Sequence, residues 1–425
     1  MKMMLKARGS RLNRASSRYL SSDYLPPLIL FAVGITLNLI VVHQLCCIIT
    51  TDSHEYTKLA ENLVADHGFS LKDAPPYVPT AWRVPLYSFI LAGLIKAFGS
   101  YEHIYRLQAV INTLTLLLIY KTVRSLAPRA SPYLIILCIL IFSLPTLPYA
   151  AGLLSEVFNG FFICLGTLLL IRDRYLLAGL SIGLAALLRP EALPFILILA
   201  VALRSPRRAL PFILAAAVLI VPWLVRNYYL IGSVGPLDPI CFYRNLVVGT
   251  SPQGFDDPVF KAGYNFEGGV ATAEERSAYI ALVKRVYYER WRAQPLVTFN
   301  LRWKPLLRVP LYGLENFIPP VEIKRLLLDG KYLTAGLRLL SMLLYGPVFL
   351  GFAFVGFWRS GMKARLLAIH FMVVMIIGLA IYIEPRYLVT SQLQLIPLFV
   401  IGLSASLNYY KGRSRLKERR VLPAG

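Results

Sequence analysis

The strongest constraint on this chain is an apolar run from Pro26 to Ile49 that ends abruptly in Thr50-Thr51-Asp52-Ser53-His54-Glu55-Tyr56. A helix needs about twenty apolar residues to cross the hydrocarbon core of a bilayer. This run supplies them, and no small-residue cleavage site follows it. Similar runs recur downstream. Hydrophobic residues make up 57% of 425 residues and charged ones 16%, which is more apolar surface than a soluble core can hide. The expected fold class is an all-α polytopic membrane protein.

Ten spans are expected, at 26–49, 104–120, 133–150, 153–171, 175–188, 191–203, 209–228, 338–357, 366–383 and 388–409. With these boundaries, roughly half of the 45 Lys and Arg residues fall on one side, in both tails and in every short basic connection. By the positive-inside rule that side is cytoplasmic. Pro85–Phe98 is apolar but short and carries Lys96, so it is expected to lie at the interface. If it spanned, every later basic connection would invert. The expected domains are a basic cytoplasmic tail (1–25), a transmembrane module (26–228) with a first external loop (50–103), a mainly helical external segment (229–337), C-terminal transmembrane helices (338–410) and a second basic tail (411–425). The net charge of +23 is spread along these connections, which argues against nucleic acid as a partner.

The external segment mixes Tyr287, Tyr288, Trp291 and Trp303 with Arg and Lys. That mixture suits membrane lipids with anionic head groups, and it equally suits a solvated cap. A surface helix is expected near Leu301–Phe317. Cys46, Cys47, Cys138 and Cys164 lie in spans and read as small hydrophobes. Cys241 stands alone, so no disulfide framework is expected. His43, His54, His67, His103 and His370 have no metal-ligand spacing.

In the first external loop, Tyr56, Leu59, Ala60, Leu63 and Val64 recur at helical spacing, which predicts a flat amphipathic helix over 53–66. Asp52 stands at its start. As an N-cap, Asp52 would form a capping-box-like pair with Glu55 three residues on. A second flat helix is expected over about 85–98, after the Pro-rich stretch containing Pro75, Pro76 and Pro79.

Six short motifs are spread along most of the chain. They are Asp52-Ser53…Tyr56…Ala60, Arg83-Val84-Pro85-Leu86-Tyr87, Ser155-Glu156, Leu188-Arg189-Pro190-Glu191, Pro222-Trp223-Leu224-Val225-Arg226-Asn227 and Glu384-Pro385-Arg386-Tyr387. In this order, and all assigned to one face, they resemble the GT-C superfamily of membrane glycosyltransferases. That superfamily includes protein O-mannosyltransferases and lipid A aminoarabinose transferases. Many members carry adjacent acidic residues at the loop start. Here Asp52 is followed by Ser53, and Glu55 is offset.

The resemblance implies a GT-C-like bundle of about ten helices. It also implies a polyprenyl-phosphate sugar donor, an acceptor hydroxyl on a lipid, glycan or protein, and an active site at the outer face of the plasma (inner) membrane. Asp52 is then the expected general base and Glu156 the second carboxylate. Either acid could ligate a divalent ion, Mg²⁺ or Mn²⁺, because only hard oxygen ligands are in sight. Arg226 and Arg386 are the first candidates for the phosphate, followed by Arg83 and Arg189, since a guanidinium matches phosphate bidentately and keeps its charge. Tyr56, Glu191, Glu384 and Tyr387 complete the expected substrate-binding set. Two rivals remain. A transporter or flippase of lipid-linked sugars expects inverted repeats and charges near mid-membrane. A membrane scaffold expects Asp52 and Arg386 to be dispensable.

Overall fold

A computed structural model of the protein describes residues 2–45, 49–266, 272–307, 336, 339–340, 343–381 and 386–421. Among the described residues the secondary structure is helical, with no strand. The chain opens with α1 (Lys2–Leu45), two short helices α2 (Thr51–Val64) and α3 (Leu86–Phe98), and then α4 (His103–Leu126). Next come α5 (Pro132–Ser143), a 3-10 helix at Leu144–Ala151, α6 (Glu156–Ile171), α7 (Tyr175–Ala186), α8 (Ala192–Ala202) and α9 (Pro206–Ile231). The segment expected to be external contributes α10 (Pro239–Val248), α11 (Pro258–Ala262), α12 (Ala273–Ala293) and α13 (Pro295–Leu307). The chain closes with α14 (Phe349–Arg359), α15 (Met362–Ala380), α16 (Arg386–Gln392) and α17 (Ile396–Val421).

Among the described residues, six stretches are long and apolar enough to cross a bilayer: Tyr24–Leu45, His103–Leu126, Pro132–Ala151, Pro206–Ile231, Met362–Ala380 and Thr390–Tyr409. They coincide with six of the ten expected spans. The other four expected spans correspond to shorter apolar helices, α6, α7, α8 and Leu344–Arg359. Pro190 limits the continuous helix between α7 and α8, because a proline disfavours helical backbone in the residue before it. The region expected to be interfacial forms the 13-residue α3.

Lipid tails are as apolar as leucine, so helices in a membrane hold together through close approach and buried polar contacts. Both occur here. A Cβ on Gly356 of α14 would lie 1.8 Å from the Leu398 carbonyl oxygen, and one on Gly402 of α17 would lie 1.9 Å from that of Phe352. Only glycine allows these two backbones to touch. Between α1 and α4, Asn112 Nδ2 donates to Asn38 Oδ1 at 2.8 Å, and Asn38 Nδ2 donates to Thr113 Oγ1 at 3.3 Å.

One end of the bundle collects basic connections. There Lys363 Nζ donates to the Ile171 carbonyl at 3.0 Å and to Asp173 Oδ2 at 2.5 Å, tying the first turn of α15 to the end of α6. The opposite end holds α2, α3 and the external segment, which pack as one unit. The Asp238 amide donates to the Ala81 carbonyl at 2.9 Å. Trp82 is buried with Ile240, Cys241, Val247 and Phe260. Arg302 Nη1 donates to the carbonyls of Leu379 (3.0 Å) and Ala380 (2.5 Å), satisfying the last turn of α15. The expected surface helix near Leu301–Phe317 begins inside α13, and its remainder lies outside the described residues. Arg302 also lies against Tyr287 (5.3 Å) and Trp291 (5.2 Å), so these two aromatics serve an internal contact.

Candidate active site

A cavity of about 1340 Å³ opens at this second end. Its walls come from the start of α2, residues 82–84, the turn between α7 and α8, the external segment and the end of α15. Asp52, Tyr56, Arg83, Arg189 and Glu191 line it, bringing together five of the residues singled out from the sequence.

The cap of α2 differs from the sequence expectation. Thr50 is the N-cap: its Oγ1 accepts from the Ser53 amide at 3.3 Å, and Ser53 Oγ accepts from the Thr50 amide at 3.0 Å. Asp52 is therefore inside the first turn. With the orphan amides already served, both acids are released from capping. One turn apart, Asp52 and Glu55 share a helix face, and Arg83 lies between them. Arg83 Nη2 donates to Asp52 Oδ1 at 2.5 Å and Nε donates to Glu55 Oε2. The offset acidic pair thus acts as one unit through a shared guanidinium. Burial disfavours the charged form of Arg83, but Asp52 and Glu55 outweigh it and hold the group firmly protonated. Glu55 Oε1 is buried without a hydrogen-bond partner among the described residues.

A second cluster lies across the cavity. Arg189 Nε donates to Glu191 Oε1. Arg189 Nη1 is 2.9 Å from Glu156 Oε1, at ion-pair distance but off the line of a hydrogen bond. Glu156 opens α6, where the helix dipole favours an anion. Tyr56 stands between the clusters. The Arg83 guanidinium is 5.5 Å from its ring, and its hydroxyl is 3.4 Å from Ser155 Oγ, beside Glu156. Burial raises the Tyr56 phenol above its ordinary range, with Arg83 opposing, so it stays neutral at physiological pH.

Glutamine 108, on α4, braces this wall. Gln108 Oε1 accepts from Tyr87 Oη at 2.8 Å, and its Nε2 donates to the carbonyls of Ala150 (3.1 Å) and Gly152 (2.7 Å). The residue was not among those expected. A buried amide in an apolar helix was the available signal.

Arg226 does not line the cavity. Its Nη1 donates to the Thr80 carbonyl at 2.6 Å and to Asn227 Oδ1 at 3.0 Å, and its guanidinium stacks 4.7 Å from Trp223. It fastens the stretch before Arg83 to α9. Glu384 lies outside the described residues. Arg386 and Tyr387 open α16, and their side chains are likewise outside the description. Asp52 and Glu156, the two candidate metal ligands, belong to separate clusters. Among the described residues no group of three or more His, Cys, Asp or Glu side chains converges on a point where an ion could sit.

Arg244, on α10, also lines the cavity and was not expected. Its guanidinium lies 4.8 Å from the Trp82 ring, 4.4 Å from Phe260 and 4.1 Å from Tyr264. The long external segment gave no periodic pattern to mark it. The run Phe242-Tyr243-Arg244 was the local hint.

No family model and no curated protein matches the sequence. Among solved structures, the oligosaccharyltransferase AglB from Archaeoglobus fulgidus, in complex with an inhibitory peptide and a dolichol-phosphate, is similar over 94% of this chain and 52% of its own, with 13% identity and a TM-score of 0.50. ArnT from Cupriavidus metallidurans in the apo state is similar over 89% of this chain and 59% of its own, with 9% identity and a TM-score of 0.44. The chain thus spans between half and three fifths of the length of these two proteins. The AglB likeness shows a shared fold. The chain is an all-α membrane protein, the fold class expected from its sequence.

Proposed function

We propose that this protein is a glycosyltransferase of the GT-C type. It moves a sugar from a polyprenyl-phosphate donor to the hydroxyl of a lipid, glycan or protein acceptor. The observation that carries the reading is the meeting of Asp52 and Arg83 on the wall of the large cavity. The shared fold with AglB, a protein solved with dolichol-phosphate, supports it. The basic connections at the far end of the bundle support an orientation with both termini in the cytoplasm and the cavity at the outer face of the plasma (inner) membrane.

In this reading Asp52 accepts the proton of the acceptor hydroxyl as its oxygen attacks the anomeric carbon. The bond from that carbon to the lipid phosphate oxygen breaks, and the phosphate leaves as an anion. Arg83 and Arg189 line the cavity and would stabilise that charge. They would do so most strongly once lipid and acceptor have excluded water. Arg386, with Glu384 and Tyr387, belongs to the same proposed phosphate site. Arg226 acts as a positioning residue for the Arg83 loop. Asp52 or Glu156 would be the ligand for Mg²⁺ or Mn²⁺, which bind through one or two carboxylates and keep several waters. Such an ion would add positive charge beside the leaving phosphate. Glu156 would orient the acceptor through Arg189.

The test is sugar transfer by the purified protein in lipid, with labelled polyprenyl-phosphate sugars and a membrane extract as acceptor. Asp52→Asn should lose about 10²- to 10⁴-fold in turnover, the usual contribution of a general base, while folding normally. A mutant that keeps most of the activity would remove Asp52 from this role. Transfer from no donor by the wild type would remove the transferase reading.

A further inference from the structure

Charge matching within the cavity singles out one residue. Arg83 and Arg189 each sit between two carboxylates. Lys261 pairs with Asp256 at 2.9 Å near the surface. Arg244 is 9% exposed, has no carboxylate within ion-pair distance among the described residues, and leaves its buried Nη1 without a hydrogen-bond partner.

The aromatic rings around Arg244 account for only part of this. Aromatic rings attract a guanidinium, but they are no substitute for the oxygen acceptors of its N–H groups. A buried charged donor left unfilled is costly. Its stem is held as well: a Cβ on Gly263 would lie 3.4 Å from Arg244 Cδ. The result is a guanidinium with a restrained stem on the cavity wall. Its position is tied to the first external loop, because Cys241, one turn earlier on α10, has its Sγ 3.6 Å from the Trp82 carbonyl, next to Arg83.

We infer that Arg244 is an oxyanion-binding residue, held at the cavity wall by its aromatic neighbours to take a phosphate or carboxylate of the substrate. Trp82, Phe260 and Tyr264 hold the group in place, and the ligand supplies the acceptor oxygens that the protein withholds. The inference rests on the transferase reading only for the source of that oxyanion. The source is either the donor's lipid phosphate or an acidic group on the acceptor.

Two binding experiments, on the full chain in nanodiscs, separate these sources. The first compares a polyprenyl phosphate with the neutral polyprenol of the same length. The second compares glucose 6-phosphate with glucose. The wild type is expected to prefer the phosphorylated ligand in at least one pair. Arg244→Met should reduce that preference by about tenfold or more, the scale of one charge-assisted contact. Loss in the lipid pair assigns the donor phosphate, and loss in the sugar pair assigns the acceptor. Unchanged preference in Arg244→Met, or no preference in the wild type, would overturn the inference. Should Arg244→Met fail to fold, Arg244→Lys is read instead. It keeps the charge and the cage but loses the fork, so its preference should fall, and wild-type preference there would likewise refute the idea. A wild type that transfers sugar while Arg244→Met binds normally keeps the transferase and discards the Arg244 site. A phosphate preference that depends on Arg244, without any transfer, does the reverse.

Discussion

Removing Arg189 should unfold the protein more readily than removing its charge partners along with it. Glu156 and Glu191 are buried around Arg189, with side-chain exposures of 2% and 14% against 10% for the arginine. Arg189→Gln removes the guanidinium that pairs with both buried carboxylates. Breaking a buried pair in this way costs about 3–5 kcal/mol, because a desolvated charge loses its compensation. The triple variant Glu156→Gln, Arg189→Gln, Glu191→Gln removes all three charges of the cluster and should recover most of that loss. Cys138, Cys164 and Cys241 are buried and free, so a maleimide dye reports their exposure on heating. Cys46→Ser and Cys47→Ser would limit the signal to these three. A loss of 3–5 kcal/mol should lower the midpoint by on the order of 3–6 °C in a chain of this size. A drop of only about 1 kcal/mol, as for a solvent-exposed pair, would refute the claim that this cluster is desolvated. So would a triple variant as unstable as the single one.

Two further outcomes follow from the geometry. Gly402→Leu should destabilise the protein by about 1–3 kcal/mol or more, since even its Cβ would strike the Phe352 carbonyl oxygen; unfolding in detergent measures this. The carboxyl of Asp257 is held below the ordinary range: burial pushes it up, but bonds from Ser251 and Arg290 outweigh that. Its folded value lies below its unfolded one. Its stabilisation is thus complete above the unfolded value near ~3.9 and is lost as pH falls through the folded one. Asp257→Asn should therefore lower stability at pH 7 and flatten the acid limb of the stability profile.

Much of the architecture could be read from hydropathy, because apolar length and basic connections are strong signals. The six long stretches and both helices of the first loop lie within a few residues of their expected ends. The site was legible in part. The spacing of Asp52 and Glu55 put them on one helix face, but the capping role went to Thr50 and Ser53. A hydroxyl pair and an acid pair compete for the same amides, and the hydroxyls won because Arg83 engages the acids. That contact joins residues from two stretches of the loop and leaves no local signature. Arg226 read as a phosphate ligand because it ends an apolar helix, whereas its bond to Thr80 needs the fold to be seen. Arg244 was invisible for a similar reason: its cage combines Trp82 of one external stretch with Phe260 and Tyr264 of another.

The bond from Asp238 to Ala81 and the burial of Trp82 under α10 have an evolutionary consequence. The external segment cannot be exchanged as a cassette. A chimaera that grafts this segment from a relative must also bring a compatible partner for Trp82, one residue from Arg83. In the transferase reading, changes in acceptor choice written into the segment would be transmitted to the guanidinium that grips Asp52. Substitutions around positions 81–83 and 238–241 should therefore be acquired together or be tolerated poorly. Recombination breakpoints between them would separate two halves of one part.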